Sequence, residues 1–564
     1  SFFKNYNYLY LGDSEPEASN TFSEGSSNGF GWVNTNTAAY NFKLGNHGIT
    51  ALAGAEFLNT GAGRFINGSG LNPFSTDLDY VNLNVVQSPQ VNSGLFSGVN
   101  FESYFAKVDY NFADKYYLSG TIRRDGASRF GINSRYGTFP AIAAAWRVTG
   151  EDFLRANDFI TDLKLRAGWG QMGNSNNVDP ANQYSLFAAS RGNSYYPISG
   201  QNSGVDEGYY RSRIGNPDAK WETSTTLNFG FDATLLNGKF EIVADLWRKN
   251  TEDLLYTVPL PGVVGVLASA PAVNIASMKN AGLDFLVVNR GKLSSTVNYE
   301  VSWTSSFLHN EITALAPGID FFTGSGYRGI SPIRNAVGQP ISSFFGYNVL
   351  GYFKDASDVA NSPEQSGKGI GRFKYEDTNG DGKIDPADRT FIGNPVPKYT
   401  GGLTFTVDFK NFSASTYLYT SIGNKIFNMS KWFTDFFGSF EGSGKGIRAL
   451  ESWTPALGDN AKAPIWESAS NISTNAGENS WYVEDGSYLR MQYLSLGYTL
   501  PKSLVKPLGF SNARVSIAGT NLFTITKYEG LDPGVGGAVD TNFGIDVGNY
   551  PVTRGFTLGI NVGF

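Results

Sequence analysis

Cysteine is absent from the 564 residues, and only two histidines are present. The first absence excludes disulfides and thiolate metal sites. The scarcity of histidine leaves little for imidazole chemistry: His47 and His309 lie far apart, outside any H-E-x-x-H pattern, and read as surface residues. Charge is sparse too, at 17% of residues, and its balance is acidic, with a formal net charge of −6. Nucleic acid needs a basic stripe, so it is not expected as a partner. Long apolar runs are also missing. Nowhere do about 18 apolar residues follow one another, so no transmembrane helix is expected. A mean hydropathy of −0.23 would ordinarily suggest a water-soluble chain. That inference fails for β-barrels, whose strands alternate lipid-facing apolar with lumen-facing polar residues and average to neutral. The opening SFFKNYNYLYLG has neither the charged nor the apolar region of a signal peptide.

Aromatic residues and glycine are abundant instead: 42 Phe, 30 Tyr and 67 Gly. They fall in period-2 alternation. In YFAKVDYNF, Tyr104, Ala106, Val108, Tyr110 and Phe112 share one face, with Lys107, Asp109 and Asn111 on the other. A turn at Ala113–Lys115 leads to Tyr116, Leu118 and Ile122 of the next strand. Leu227, Phe229 and Phe231 precede Asn237-Gly238, then Phe240, Ile242, Ala244 and Leu246 follow. Asn-Gly between alternating runs is a strong hairpin signal. Leu403, Phe405, Val407 and Phe409 run into a Lys410-Asn411 turn and a returning strand. About sixteen strands of about ten residues are expected, the length that crosses a bilayer when tilted. Short turns alternate with long connections, near 171–220, 310–340 and 425–485. The fold class this predicts is all-β: a transmembrane antiparallel β-barrel with long extracellular loops. Soluble β-sandwiches are the alternative, but no linker divides the chain and the apolar faces are unusually aromatic. The terminal strand, 553–564, places Phe556, Leu558, Ile560, Val562 and Phe564 on one face. A soluble protein would carry such an edge as a liability. An apolar strand ending on an aromatic resembles the signal by which outer-membrane barrels are recognised for insertion.

Several stretches resemble the SusC/RagA family of TonB-linked outer-membrane transporters, in its order and spacing. They are RRDGASRFG (123–131), FPAIAAAWRVTGEDFL (139–154), LKLRAGWGQMGNSN (163–176), the 220–256 hairpin, FIGNPVPKYTGGLTF (391–405), VEDGSYLRMQYLSLGYTLP (483–501) and AGTNLFTITKYEGLDP (518–533). The resemblance implies that residues 1–564 are the C-terminal part of a barrel of twenty-two strands, the number large outer-membrane transporters use. It also implies a signal peptide, extension domain and plug, none visible here, so a fragment of a longer chain is expected. An incomplete barrel would leave unpaired backbone edges in lipid, each group at a cost of several kcal/mol.

Catalytic constellations are not evident, and an enzyme is not expected. The glycine-rich stretches at 324–329 and 441–446 lack the strand-to-helix context or the hydroxyl that a phosphate loop needs. The segment YEDTNGDGKIDPADRTFIGNP (375–395) is different. Counted from Asp377, Asn379 is at position 3, Asp381 at 5, Gly382 at 6, Lys383 at 7, Ile384 at 8, Asp385 at 9 and Asp388 at 12. Side-chain oxygens at 1, 3, 5 and 12 with a backbone carbonyl at 7 are the order that wraps calcium, with glycine for the sharp turn. The plain alternative is an Asn/Asp/Gly turn. Four aspartates within twelve residues would repel one another without a cation, which favours the ion. A structural calcium, stiffening an external loop without a helix-loop-helix switch, is expected.

The long connections are aromatic, with Tyr195, Tyr196, Tyr209 and Tyr210 in one and Trp432, Phe433, Phe436, Phe437, Trp453, Trp466 and Trp481 in another. Such rings suit sugars or peptides, and suit lid-docking surfaces and girdles equally. The family resemblance implies uptake of oligosaccharides or peptides across the outer membrane, a SusD-like lipoprotein lid, and drive from TonB–ExbB–ExbD through the plug. The alternatives are a passive structural or receptor barrel and a soluble calcium-dependent carbohydrate-binding β-protein.

Overall fold

The computed structural model describes residues 2–7, 20–75, 77–96, 98–155, 157–190, 192–197, 206–257, 267–324, 326–439, 442–535 and 542–564. Among them, seventeen strands form one antiparallel sheet. In chain order these are β1 (Phe2–Asn7), β2 (Thr21–Leu44), β3 (His47–Leu71), β4 (Gln87–Phe96), β5 (Asn100–Phe112), β6 (Tyr116–Ala127), β7 (Tyr136–Arg147), β8 (Ile160–Asn174), β9 (Glu222–Leu235), β10 (Phe240–Thr257), β11 (Ala272–Ser294), β12 (Val297–Leu315), β13 (Tyr399–Phe409), β14 (Phe412–Ile422), β15 (Tyr488–Thr499), β16 (Asn512–Thr526) and β17 (Gly555–Gly563). From β5 onward each strand pairs with its neighbours in sequence, so the wall is a continuous meander. β3 hands over between two partners: residues 63–71 pair with β4 and residues 47–59 with β5.

The expected count of about sixteen strands is close, but the expected length is short for several. β2 and β3 run for 24 and 25 residues. At about 3.3 Å per residue, such strands rise well beyond a hydrocarbon core of about 30 Å. Sequence alternation marks only their lipid-facing part, because above the membrane both faces meet water and polar residues serve on either. The tight turns close one end of the wall where expected. Ala113 and Asp114 have φ of 54° each, and Leu236, Asn237 and Gly238 have φ of 52°, 56° and 84°. Left-handed backbone at consecutive turn residues matches the twist of the flanking strands.

Register sets the two faces. Phe229 is opposite Leu246, and Leu246 is opposite Leu283, which is opposite Phe307; all lie on the outer face. Leu246 is 60% and Phe229 52% exposed, as side chains that meet lipid should be in an isolated chain. One position along, Asp245, Asp284 and Ser306 turn inward, as does Asp232, three along from Phe229. The sheet therefore has almost no conventional core. Its ladder satisfies the backbone, and lipid is the apolar phase.

The three connections 316–398, 423–487 and 527–554 differ. They share a buried cluster that includes Phe344, Tyr347, Phe373, Tyr375, Phe427, Trp453, Tyr482 and Ile545. The short strand Lys425–Asn428 pairs antiparallel with Val483–Asp485 and parallel with Ile545–Asp546, joining two of the connections through one small sheet. The expected connection 310–340 is longer than anticipated, since β12 ends at Leu315 and β13 begins at Tyr399.

Candidate functional site: a packed loop unit above a polar inner wall

The inner face of the wall carries charge held in pairs. Arg166 on β8 donates to Asp232 on β9, with Nη2 2.8 Å from Oδ1, and to Asp245 on β10, with Nη1 3.0 Å from Oδ1. One guanidinium forks across three strands because antiparallel register brings alternate residues of neighbours side by side. Asp284 accepts from Trp247 Nε1 at 2.7 Å and Ser306 Oγ at 2.6 Å. Further round, Lys107, Asp109, Tyr117, Lys164 and Arg166 line a concavity of about 950 Å³. At the upper rim Glu222 is buried, and takes hydrogen bonds from Asn174, Asn177 and the Leu255 backbone N–H. That carboxylate staples the 175–221 connection to the wall. Lys107 and Asp109 fall on the polar face that the alternation of their strand predicts; the other inner residues, single polar residues along their strands, did not stand out in the sequence.

The calcium-like segment lies within the loop unit, pinned at both ends of its turn. Tyr375 is buried and stacks on Tyr347 with ring centroids 4.8 Å apart. Ile384 is buried in the same cluster. Gly380 and Gly382 have φ of 74° and 82°, a backbone that residues with a Cβ rarely adopt. The Asp377 carboxylate accepts from the N–H groups of Gly380, Asp381 and Gly382. Asn379 Oδ1 accepts from Asp381 N at 2.9 Å, and Asn379 Nδ2 donates to Asp381 Oδ2 at 3.2 Å. Residues 377, 379 and 381 are thus drawn together by the turn.

The second half folds otherwise. Lys383 and Ile384 pair in parallel with Glu364 and Gln365. Asp385 caps the 386–388 turn, accepting from Ala387 N at 2.7 Å. Asp388 is fully buried, accepting from Asp385 N at 2.9 Å through one oxygen and from Thr378 N at 2.9 Å through the other. Burial alone would raise its pKa; the N–H groups of Asp385, Thr378 and Asn379 outweigh this and hold it below the ordinary value. Asp388 therefore fastens the loop to itself. Among the described residues, no three acidic or histidine side chains approach closely enough to hold a metal ion by themselves.

The loop aromatics divide. Phe436 and Trp453 are core, and Trp432, Phe433 and Trp481 pack against that core. Phe437 and Trp466 remain half-exposed as an edge-to-face pair 5.6 Å apart, and Tyr196 and Tyr209 are exposed. A charged pair sits inside the unit. Lys431 Nζ lies 2.9 Å from Glu484 Oε1 and 4.5 Å from the Trp481 ring centroid. Asn428 and the Glu529 backbone N–H complete the carboxylate. On β17, Phe556, Leu558 and Ile560 point outward and exposed, Val562 is half-exposed, and Phe564 meets Phe510 edge-on at 5.4 Å.

An antiparallel wall with an apolar exterior, a polar interior and long packed loops at one end defines an outer-membrane β-barrel. The chain belongs to the TonB-dependent receptor-like β-barrel family, whose description matches residues 1–522. Within it the chain is of the SusC/RagA type. It is 31% identical to TonB-dependent receptor P3 of Formosa agariphila over 554 residues, covering 94% of this chain and 52% of that protein. It is 29% identical to TonB-dependent receptor SusC of Bacteroides thetaiotaomicron over 479 residues, covering 82% of this chain and 43% of that protein. The RagAB peptide transporter structure superposes with a TM-score of 0.80 at 24% identity, covering 98% of this chain and 57% of that one. The chain thus spans about half the length of the curated relatives it matches. The family is one of outer-membrane receptors and transporters rather than enzymes.

Proposed function

We propose that the protein to which this barrel belongs imports oligosaccharides or peptides across the outer membrane. A SusD-like surface lipoprotein closes the mouth, and TonB with ExbB and ExbD supplies the energy. The observation that carries this reading is the pairing of a polar inner wall with a separately packed loop unit above it. A passive structural barrel needs no such platform, whereas a receptor that captures a ligand with a partner lid does. SusC is a TonB-dependent receptor by name, which supports the TonB drive, and RagAB a peptide transporter, which supports the peptide class; the oligosaccharide class rests on the resemblance of the sequence motifs. Deleting the gene should abolish growth on the one polymer or peptide pool that the protein serves. Growth should be lost equally on removing TonB function and should return with the intact gene. Full growth of the deletion strain on every glycan and peptide source that induces the gene would sink the reading.

The 377–388 segment is proposed to take a structural calcium ion. Asp377 Oδ2 and both oxygens of Asp381 each accept a single hydrogen bond and keep a second lone pair, and Asn379 and the Lys383 carbonyl fit the same order. Asp385 and Asp388 would act as an outer layer, since Asp388 is already committed to the backbone. Calorimetric titration of chelator-treated protein with calcium should give one site per chain, and D377A should remove it. The terminal face of Phe556, Leu558, Ile560, Val562 and Phe564 is proposed as the membrane-insertion signal.

A further inference from the structure

In one corner of the loop unit, hydrogen-bond donors outnumber acceptors. Phe321–Thr323 pairs with Arg334–Ala336, and Phe344–Gly346 with Thr390–Gly393, which gathers Phe321, Arg334, Phe345 and Arg389. The Arg334 guanidinium carbon lies 4.0 Å from the ring centroid of Phe321 and 3.5 Å from that of Phe345. The cation is clamped between two phenyl rings, a contact that uses the faces of its plane. Its N–H groups lie in that plane and emerge from between the rings as a planar fork. Among the described residues no carboxylate, carbonyl or hydroxyl accepts from this fork.

The neighbouring cation is underpaired as well. Arg389 sits 6.0 Å from the same Phe345 ring, and its buried Nε has no hydrogen-bond partner. Its nearest carboxylate, Glu478, stands 3.8 Å from Nη1, beyond hydrogen-bond reach, and the other oxygen of Glu478 is taken by Ser331 N at 2.9 Å. Two guanidinium groups therefore share one aromatic ring with a single distant counter-charge. Burial and the Arg389 charge both lower the Arg334 pKa from its ordinary value, the sign of a cation short of anions. Arg372 in the same unit is closed by contrast: it grips Glu467 through two bonds of 2.6 and 2.8 Å.

We propose that this corner binds a carboxylate of the transported oligomer, held on the fork of Arg334 with Arg389 beside it. Planar bidentate pairing is what guanidinium offers a carboxylate, and the phenyl clamp fixes the fork before the ligand arrives. The proposal rests on the import reading and specifies its ligand chemistry. A carboxylate comes from two sources, a uronic acid in a glycan or the C-terminus of a peptide, and the test separates them. The purified full-length receptor with its lipoprotein is titrated with trigalacturonic acid and its methyl ester, and with trialanine and its amide. Whichever acid is the source should bind roughly tenfold or more tightly than its neutral form. R334Q should erase that preference and R334K restore it only in part. Should R334Q fail to fold, loss of the acid preference of the unaltered receptor at high salt serves instead. Equal binding of acid and neutral forms, no binding by any of the four, or an acid preference that survives R334Q overturns the proposal. The growth test of the import reading is independent of all these outcomes.

Discussion

The wall and the loop unit solve the problem of burial in opposite ways. Along β10, Leu246 points out into lipid, and Asp245 beside it points in and pairs with Arg166. Stability there resides in the ladder, since an unpaired backbone group in hydrocarbon costs several kcal/mol. In the loop unit, Phe373 and Tyr482 are fully buried among other rings, with little regular structure around them. That is the interior of a water-soluble domain, built on top of a membrane protein. The two regions should therefore respond to different insults. Removing packing should damage the loops, and changing polarity should damage the wall.

Phe373→Ala should have the largest effect. Truncating a fully buried phenylalanine costs about 3–5 kcal/mol. The loop connections should become protease-sensitive, while the wall keeps its heat-modifiable migration on a gel. If both regions fail together, the loop unit is not a separate body. Next, Leu246→Arg should cost about 2–4 kcal/mol in a folding titration in lipid, as a charge near mid-membrane on the lipid face, and Leu246→Ala far less. Equal penalties for the two would argue that Leu246 packs against protein. Then Asp388→Ala should cost about 1–2 kcal/mol, because it leaves the partly buried N–H groups of Thr378 and Asp385 without their acceptor.

Acid should sharpen the same contrast. Asp388 and Glu484 both have pKa values below the ordinary 3.8 and 4.5. For each, burial acts to raise the value; backbone N–H groups at Asp388, and the Lys431 charge with its neighbours at Glu484, prevail. Depressed carboxylate values mean stability that is fully present above the ordinary range and lost as pH falls through the folded values. Loop tryptophan fluorescence should therefore change below about pH 4, before the β-sheet signal of the wall does. A loop unit unchanged down to the pH at which the wall unfolds would contradict these two shifts.

How much of this could be read in the chain itself follows the same division. Period 2 is a local signal, so the hairpins around Ala113–Lys115, Asn237-Gly238 and Lys410-Asn411 stood where the alternation and turn residues put them. The excess length of β2 and β3 was hidden because residues such as Ser26, Ser27 and Asn28 carry no apolar stripe once the strand leaves the membrane. The loop core was hidden for another reason. Tyr375, Phe427 and Ile545 meet from three connections far apart in sequence, and no local period records a meeting of that kind. Loop aromatics that suggested a ligand surface, such as Phe436 and Trp453, were filling this core. The Asp377–Asp388 order was legible because a turn motif is short and self-contained, yet the commitment of Asp388 to backbone groups required the folded loop.

Phe564→Ala should have the smallest effect on the finished protein. Phe564 is 93% exposed, and its one aromatic neighbour among the described residues is Phe510. An edge-on pair contributes about 0.5–1.5 kcal/mol beyond burial, and an exposed one sits at the low end. Thermal stability of assembled protein should thus scarcely move. Assembly is another matter if the terminal face is read during insertion, because recognition acts on the unfolded chain before lipid covers Leu558 and Ile560. The yield of membrane-inserted protein should then fall several-fold while the melting temperature stays put, and Phe564→Tyr, which keeps the ring, should restore the yield. A proportionate fall in both would make Phe564 an ordinary packing residue and remove the distinction between a wall that is recognised at its edge and a loop unit that is held by its core.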